Sequence, residues 1–406
     1  MACREAHVTL VLLAEAPVVH PPPVPTYPPT RRDERASITR HGRRFPDPYA
    51  WLSDLESPET AQWLAAQESL TRHVLETVSG REELSRVVAR ASHYERRTRD
   101  IRAGPDGRAF WWQAGPDERR LRFVMRRKVG SALETVIDPN GWPPREALAF
   151  AVPSPDGCLV AFGVTGEGYG ASTRILDVES GTVLDERLYG TDHASVAWRP
   201  DSSAFFYSAC PEPGDVPAGE EMHWNAIYEH QVGTPGPRRV FGDTAVKECW
   251  CGVSVSECGR FAVLTKWDFV NANTVYLLRL ADGALLRVTP EMEAVNEVHV
   301  LDDRLLIRTD LGAPRGRVCK AVLETPKEWQ TLIPEPEEGV LRTVAGIGGR
   351  LYAVYARRGA HEVTVFDTSG SFLRTLPLPG TGSVNRNEGS GVVSGVAGTW
   401  RGRLLV

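Results

Sequence analysis

Residues 150–162 read Phe-Ala-Val-Pro-Ser-Pro-Asp-Gly-Cys-Leu-Val-Ala-Phe, which are two apolar runs joined by a turn sequence. Apolar runs of this length on either side of Pro, Asp and Gly are typical of a β-hairpin. The unit returns with turns that start at residues 199 (Arg-Pro-Asp-Ser) and 256 (Ser-Glu-Cys-Gly), so it recurs after 45 and then 57 residues. A recurrence at this spacing predicts a repeat architecture.

A second kind of hairpin follows the first, with turn residues at 180–181, 282–283 and 369–370 (Ser-Gly, Asp-Gly and Ser-Gly). Two hairpins in every ~40–50 residues are the signature of a four-stranded propeller blade. Residues 94–406 have room for about seven blades of ~45 residues. Too little strand-like sequence follows Leu378 to complete the last blade, which we expect to be incomplete. A stacked array of β-sandwiches is the alternative.

Before residue 94 the apolar residues follow helical spacing instead. Ser57, Pro58 and Glu59 suit the cap, the first turn and the positive end of a helix. This helix is expected to end at Gly80, and a shorter one follows. Their apolar faces are formed by Trp63, Leu64, Gln67, Leu70, Val74, Leu75 and Val78, and by Leu84, Val87, Val88 and Ala91. We therefore predict a mainly β fold, a β-propeller preceded by a short helical segment.

Composition excludes several classes of protein. The formal net charge of -5 disfavours a nucleic-acid binder, and no apolar run is long enough for a transmembrane helix. The seven cysteines are an odd number, which favours reduced thiols in a cytoplasmic protein. Cys249, Cys251 and Cys258 lack the second ligand pair of a zinc site. We expect no metal, no other cofactor and no membrane partner.

The two ends of the chain differ from the middle. Residues 1–30 are proline-rich and are expected to be extended and disordered. Residues 8–14 form a short apolar run before an Ala-Glu-Ala sequence, but Glu5 and Pro17 argue against a signal peptide. Residues 385–406 are rich in Gly, Ser, Val and Asn and are expected to form a divergent tail with the truncated last blade.

A basic cluster is expected on one hairpin of the first blade. The plain interpretation is a solvated strand face, and the alternative is a surface for an acidic partner or nucleic acid. Its members are Arg119, Arg120, Arg122, Arg126, Arg127 and Lys128.

Residues 41–54 read His-Gly-Arg-Arg-Phe-Pro-Asp-Pro-Tyr-Ala-Trp-Leu-Ser-Asp. This stretch resembles the H-G-x-x-V-x-D-P-Y-x-W-L-E-D signature near the start of prolyl oligopeptidases. Further segments fit in order, among them 227–230 (Ile-Tyr-Glu-His) with 233–234 (Gly-Thr) and 259–261 (Gly-Arg-Phe). The resemblance covers about residues 27–384.

The resemblance implies a division into residues 31–93, which pack on a hydrolase domain in that family, and a β-propeller over residues 94–384. In full-length members the hydrolase portion carries a Ser/Asp/His triad that cleaves short peptides after proline. The propeller covers the site and excludes large proteins. By position, His193, Lys266 and Phe269 are candidates for the substrate chamber, although the family usually has an aromatic residue, an arginine and a cysteine there.

The serine chemistry of that family is missing from this chain. An α/β-hydrolase nucleophile sits on a strained turn with glycine two residues before and two residues after it. No serine here has both glycines, and no Gly-Gly-Ser occurs. We therefore expect a gating portion that is inactive alone, with the missing hydrolase domain as its partner and short proline-containing peptides bound only in a full-length enzyme. The alternative is a free-standing propeller that serves as a protein-binding scaffold, and the coding sequence downstream of Val406 would discriminate between the two.

Overall fold

The computed structural model describes residues 26–92, 97–116, 118–166, 171–191, 194–212, 214–242, 246–268, 272–290, 294–378, 380–384, 399–400 and 403–404. The chain divides into two compact units, residues 1–93 and 94–406. Most of residues 1–30, which are predicted to be disordered, lie outside the described residues. The same holds for most of the predicted tail at residues 385–406.

The first unit contains a hairpin and two helices. Strands β1 (Ser37–Arg40) and β2 (Arg43–Pro46) are antiparallel. Their turn has positive φ at both His41 (51°) and Gly42 (73°), as a tight two-residue hairpin turn requires. Helix α1 is Pro58–Glu76, and α2 is Arg81–Ser92. The indole of Trp63 in α1 donates to Thr30 Oγ1 at 2.9 Å, which fixes the preceding chain against the helix.

The helix ends differ from the sequence-based expectation in two details. Ser57 has extended backbone angles at the cap position, but its side chain makes no capping hydrogen bond. Helix α1 stops at Glu76, and Thr77 stays in the right-handed helical region. Gly80, with φ of 80°, instead precedes α2, and its carbonyl accepts the amide of Leu84. The left-handed glycine thus serves the start of α2 rather than the end of α1.

The apolar faces of the helices are unequally covered within this unit. Trp63, Leu70 and Val74 of α1 are half-buried, whereas Leu64 is 47% exposed. The predicted apolar face of α2 is exposed at Leu84, Val87 and Val88.

Within its described residues, the second unit contains six four-stranded antiparallel sheets, each an up-and-down meander in sequence order. Sheet 1 consists of β3 (Arg97–Ala103), β4 (Ala109–Ala114), β5 (Arg122–Arg126) and β6 (Glu134–Ile137), and sheet 2 of β7 (Ala147–Pro153), β8 (Leu159–Thr165), β9 (Ser172–Asp177) and β10 (Val183–Leu188). Sheet 3 consists of β11 (Val196–Trp198), β12 (Ala204–Ala209), β13 (Ala226–Gln231) and β14 (Arg238–Phe241), and sheet 4 of β15 (Cys249–Val255), β16 (Phe261–Asp268), β17 (Ala272–Arg279) and β18 (Leu285–Arg287). Sheet 5 consists of β19 (Asn296–Leu301), β20 (Arg304–Thr309), β21 (Arg317–Val322) and β22 (Gln330–Ile333), and sheet 6 of β23 (Val340–Ile347), β24 (Arg350–Arg357), β25 (Ala360–Asp367) and β26 (Phe372–Thr375).

A further two-stranded sheet, β27 (Thr399–Trp400) with β28 (Arg403–Leu404), contacts β3 of sheet 1. The predicted mainly β propeller of about seven blades, preceded by a helical segment, is therefore confirmed, and two strands of the last blade lie within the described residues. The change of hydrophobic period before residue 97 is confirmed too, because the helices of the described residues, apart from single 3₁₀ turns, precede β3.

The turns form for local reasons. In the first turn of sheets 2, 3 and 4 the fourth residue is left-handed: Gly157 (φ 69°), Ser202 (φ 61°) and Gly259 (φ 67°). The last turn of sheets 2 and 6 is closed by an aspartate. Asp367 Oδ1 accepts the amides of Ser369 and Ser371, both at 2.9 Å. These are the turn signals by which the repeat is recognised in the sequence.

Because each sheet is a meander, its first and third turns lie at one end, called here the first-turn end. Its second turn and its connection to the next sheet lie at the other, the second-turn end. At the first-turn end, Arg108 donates to the carbonyl of Gly157 (2.6 Å), and the Asp156 amide donates to Ser202 Oγ (3.2 Å). Arg260 of sheet 4 donates to the Asp302 carbonyl of sheet 5 (2.7 Å). Turn-to-turn contacts thus link successive sheets.

The hydrophobic core lies between neighbouring sheets, in the zones called seams below. Phe110 and Phe123 of sheet 1 cluster with Val160 and Phe162 of sheet 2. Val263 and Leu277 of sheet 4 cluster with Leu305, Ile307 and others of sheet 5. Sheets 2–5 each bury both faces against their neighbours, so the structure is stabilised seam by seam.

Candidate functional site at the second-turn end

Of the three candidate residues of the substrate chamber, Lys266 lies within the described residues. Lys266 is half-buried on β16, where it lies opposite Cys251 of β15 and Thr274 of β17. His193 follows β10 and Phe269 follows β16 in the sequence, and both fall outside the described residues. The structure therefore locates Lys266 near the second-turn end of sheet 4 and leaves the chamber assignment of all three residues a prediction.

A long second turn of sheet 3, residues 210–225, extends the same end. Glu220 in this turn binds Lys247 Nζ at 2.8 Å and the Trp224 indole at 3.2 Å. These hydrogen bonds, of which the one from Lys247 has the larger effect, hold the pKa of the Glu220 carboxyl below its usual range. Trp224 has a positive φ of 59°. The turn is therefore anchored to the chain that connects sheet 3 to sheet 4.

Asn225 ends this turn and fastens the seam between sheets 3 and 4. It is 3% exposed, and its Oδ1 accepts the amide of Cys251 at 2.8 Å. Three thiols surround it. Its side-chain nitrogen Nδ2 lies 3.5 Å from Cys210 Sγ. Its backbone carbonyl oxygen lies 3.4 Å from Cys251 Sγ and 3.9 Å from Cys249 Sγ. This thiol cluster was not predicted from the sequence, although the spacing of two residues between Cys249 and Cys251 places both on one face of a strand.

The seam between sheets 4 and 5 is polar at the same end. Asn273 and Asn296 are 5% and 4% exposed. Asn273 Oδ1 accepts the Asn296 amide at 2.7 Å, and its Nδ2 donates to the Asn296 carbonyl at 2.8 Å. Thr309 Oγ1 donates to Asn296 Oδ1 at 2.7 Å. The side chain of Asn273 thus binds the inner strand of the next sheet as a neighbouring strand would.

Two histidines pair with glutamates inside seams. His230 Nε2 lies 2.5 Å from Glu186 Oε2, between sheets 3 and 2. His299 Nε2 lies 3.0 Å from Glu297 Oε1, which also accepts the hydroxyl of Thr343 of sheet 6 at 2.7 Å. The His230–Glu186 pair connects sheets 3 and 2, and the Thr343–Glu297 hydrogen bond connects sheets 6 and 5, so both seams are partly polar.

The predicted basic cluster has structural contacts. Arg120 donates to the carbonyls of Pro139 (2.8 Å) and Pro144 (3.0 Å), and so ties the second turn of sheet 1 to the connection that follows. Arg127 binds Glu134 at 3.0 Å and Glu179 of sheet 2 at 2.6 Å. These contacts favour the interpretation as a strand face over that of a binding surface.

A cavity of about 590 Å³ opens at the first-turn end, between sheets 4 and 5. The residues that line it include Arg260, Phe261, Arg279, Asp303 and Glu324. Arg260 is bound to Asp303 at 2.8 Å. The cavity therefore lies at the end opposite to Lys266.

Within the described residues, no three side chains of the metal-ligating types converge on one point. Cys258 lies in the first turn of sheet 4, at the other end of β15 from Cys249, which separates the three cysteines considered for zinc. None of the helices in the described part of the chain has the length and apolar character needed to cross a bilayer.

Comparison with known proteins gives consistent matches. The family model for "Prolyl oligopeptidase, N-terminal beta-propeller domain" matches residues 28–393. A prolyl endopeptidase of Elizabethkingia meningoseptica is 26% identical over 372 residues, which are 88% of this chain and 51% of that protein. Prolyl oligopeptidase A of Amanita bisporigera is 26% identical and covers 88% of this chain and 53% of that protein. The chain spans about half the length of the relatives it matches.

Solved structures agree with the sequence matches. A structure from a study of two prolyl endopeptidases superposes with a TM-score of 0.80 at 28% identity, over 88% of this chain and 54% of that one. Prolyl oligopeptidase B of Galerina marginata, in complex with a macrocyclization substrate, has the same fold with a TM-score of 0.77 at 21% identity, over 87% of this chain and 54% of that one. With residues 28–393 matched by the family model, the chain belongs to the prolyl oligopeptidase family and carries its N-terminal β-propeller part.

Proposed function

We propose that this chain is the gating portion of a serine endopeptidase that cleaves short peptides after proline, and that it hydrolyses no peptide by itself. The observation that carries the proposal is the match of residues 28–393 to the N-terminal propeller domain. The sequence of the chain, in turn, contains no serine flanked by glycine at both the second preceding and the second following position, the arrangement that a hydrolase nucleophile needs.

The gating role is supported by the continuity of the seams. Sheets 3 and 4 are joined by Ser195 Oγ, which donates to the Val253 carbonyl (2.8 Å) and accepts the Val253 amide (2.9 Å). Sheets 5 and 6 are joined by Arg308, whose guanidinium donates twice to the Leu341 carbonyl. Buried polar groups that are satisfied across a seam oppose the separation of the sheets. We expect a ring with such seams to admit short peptides and to exclude large proteins, folded or unfolded.

The catalytic half would be supplied by a hydrolase portion. The test joins residues 1–384 to the hydrolase portion of the Elizabethkingia meningoseptica relative. The chain alone and the fusion are incubated with a short fluorogenic peptide that has proline before the scissile bond, and with an unfolded protein that contains proline. We expect no turnover by the chain alone. The fusion is expected to cleave the short peptide, in a reaction blocked by an active-site-directed phosphonate, and to leave the protein intact.

Lys266 provides a variant within this experiment. In the fusion, Lys266→Ala is expected to raise KM for the short peptide several-fold, because the lysine lies at the end that we assign to the substrate chamber. Lys327→Ala is the matched control, since Lys327 is exposed in the third turn of sheet 5, at the opposite end. Phosphonate-sensitive turnover by the chain alone contradicts its inactivity. An inactive fusion together with a monomeric, cooperatively melting chain favours the scaffold alternative.

A further inference from the structure

The thiol cluster around Asn225 carries an inference that is independent of the peptidase assignment. We propose that Cys249 and Cys251 form a redox-active dithiol that closes to an intramolecular disulfide at the seam between sheets 3 and 4. The co-reactant is a two-electron oxidant, either a hydroperoxide or a small disulfide such as glutathione disulfide.

The geometry places the two sulfur atoms on one face of a strand and around one oxygen atom. Cys249 and Cys251 are two residues apart on β15, so both side chains leave the same face of the strand. Both sulfur atoms lie within 3.9 Å of the Asn225 carbonyl oxygen. The cysteines are 2% and 6% exposed, and they are in the reduced state in this structure.

The strand must change for the bond to form. A disulfide requires β-carbons about 3.5–4.5 Å apart, whereas side chains two residues apart in an extended strand stand about 6.6 Å apart. Cys249 is the first residue of β15 and is paired with Asp268, the last residue of β16. The distance between the two cysteines can therefore shorten at the end of the ladder, where only the pairing of Cys249 with Asp268 is lost. A disulfide strained in this way is easily reduced again, so the oxidation is reversible.

The reaction balances with the named oxidants. With a hydroperoxide ROOH, one thiolate attacks the terminal peroxide oxygen, which gives a sulfenic acid and ROH. The second thiol then displaces water from the sulfenic sulfur, so two thiols and ROOH yield the disulfide, ROH and water. With glutathione disulfide, the first thiolate forms a mixed disulfide and releases one glutathione. The second thiolate releases the other.

Burial keeps the dithiol unreactive while the strand end is closed. The interaction of Cys251 with the neighbouring Cys249, which favours the protonated thiol, and its burial raise the pKa of Cys251. Thiols rather than thiolates therefore predominate, and the thiolate is the form that reacts. The exposed Cys258 differs, because hydrogen bonds from Ser256 and Arg260 outweigh its burial and lower its pKa. Cys258 is thus expected to react first, and a test has to separate the two sites.

Closure of the dithiol would act on the second-turn end. Cys251 lies opposite Lys266 in the ladder, and its amide is the donor to Asn225 Oδ1. A displaced Cys249–Cys251 segment alters this bond and so loosens the anchor of the residue 210–225 turn. The oxidised chain is expected to differ from the reduced chain at the end that carries the candidate chamber residue Lys266.

The test uses the full chain with Cys158 and Cys258, both exposed, replaced by serine. The reduced protein is incubated with glutathione disulfide or with hydrogen peroxide, then alkylated under denaturing conditions and mapped by mass spectrometry without reduction. We expect a peptide that contains Cys249 and Cys251, carries no alkyl group and has lost two hydrogens. Phenylarsine oxide, which bridges two close thiols, is expected to bind the reduced chain one to one and to block the oxidation.

The controls distinguish this site from general thiol oxidation. Cys249→Ala and Cys251→Ala should each abolish both the disulfide and the arsenical binding, whereas Cys319→Ala, which removes a buried thiol of sheet 5, should leave both unchanged. Near-ultraviolet circular dichroism checks that each variant is folded. The proposal is overturned if both cysteines are recovered fully alkylated after saturating oxidant, or if either is joined to Cys210 instead.

Discussion

Replacement of Asn273 by alanine probes the seam between sheets 4 and 5 most directly. The side chain binds both the amide and the carbonyl of Asn296, at 2.7 and 2.8 Å, and both residues are almost fully buried. Asn273→Ala removes both partners at once and leaves two backbone groups of β19 unsatisfied. A buried polar group without a partner costs about 1–3 kcal/mol, so the expected loss of unfolding free energy is about 2–6 kcal/mol.

The assay is urea unfolding of the full chain, followed by tryptophan fluorescence. Asn273→Ala should move the unfolding midpoint to lower urea at an unchanged slope. Gln330→Ala, which removes an exposed amide on the outermost strand of sheet 5, is the matched control and should change stability by less than about 0.5 kcal/mol. Asn273→Asp keeps an acceptor for the Asn296 amide and loses the donor to its carbonyl, so an intermediate effect is expected. A loss below about 1 kcal/mol for Asn273→Ala would refute the assignment of this side chain as the fastening of the seam.

Three further predictions concern turns, charge and association. Gly259→Ala should destabilise the chain more than Gly283→Ala. Both glycines have positive φ, but a β-carbon at Gly259 would lie 2.5 Å from Pro200 Cγ, whereas a β-carbon at Gly283 would have no atom within 4 Å. Equal shifts of the two melting temperatures would show that the contact between sheets 3 and 4 is unimportant. Burial opposes ionisation of Glu229, but hydrogen bonds to Arg238 and Arg199 outweigh it and lower its pKa; its contribution is therefore present above the pKa of an unfolded glutamate, about 4.3, and is lost as pH falls through the lowered folded value. Glu229→Gln should flatten the acid limb of a stability–pH curve below about pH 4.3, and an unchanged limb would contradict this. Exposed Leu84, Val87 and Val88 should make the chain self-associate in light scattering at micromolar concentration, so a clean monomer with one sharp, reversible melt would argue against the expectation.

The turns were predictable because their causes are local. The left-handed positions at Gly157 and Gly259 and the aspartate at residue 367 act within four or five residues, and the sequence displays them directly. The end of α1 was not predictable in the same way. Gly80 suits the end of one helix and the start of the next equally well, and only the hydrogen bond from Leu84 to its carbonyl distinguishes the two roles.

The seams were beyond the reach of sequence reasoning. Asn273 and Asn296 are 23 residues apart, and Glu297 and Thr343 are 46 apart, so no local pattern marks them as partners. The thiol pair was visible as Cys-Trp-Cys, but it was considered for zinc together with Cys258, which the hairpin places at the far end of β15. Of the candidate chamber residues, Lys266 came from the family resemblance, and its role stays a prediction.

The contact between β27 and β3 has a consequence for the order of folding. Each four-stranded sheet closes within about 45 residues of chain, whereas β27 meets β3 across about 300, and the added entropy of that longer loop is about 2 kcal/mol. This entropic cost is small compared with the free energy that burial in a seam contributes. It opposes ring closure before the contact between β27 and β3 can stabilise the fold. Local hairpins should therefore appear early and the circle should close last. Opening is expected to begin at the same place, so the junction of β27 with β3 sets the rate at which the assembled ring comes apart.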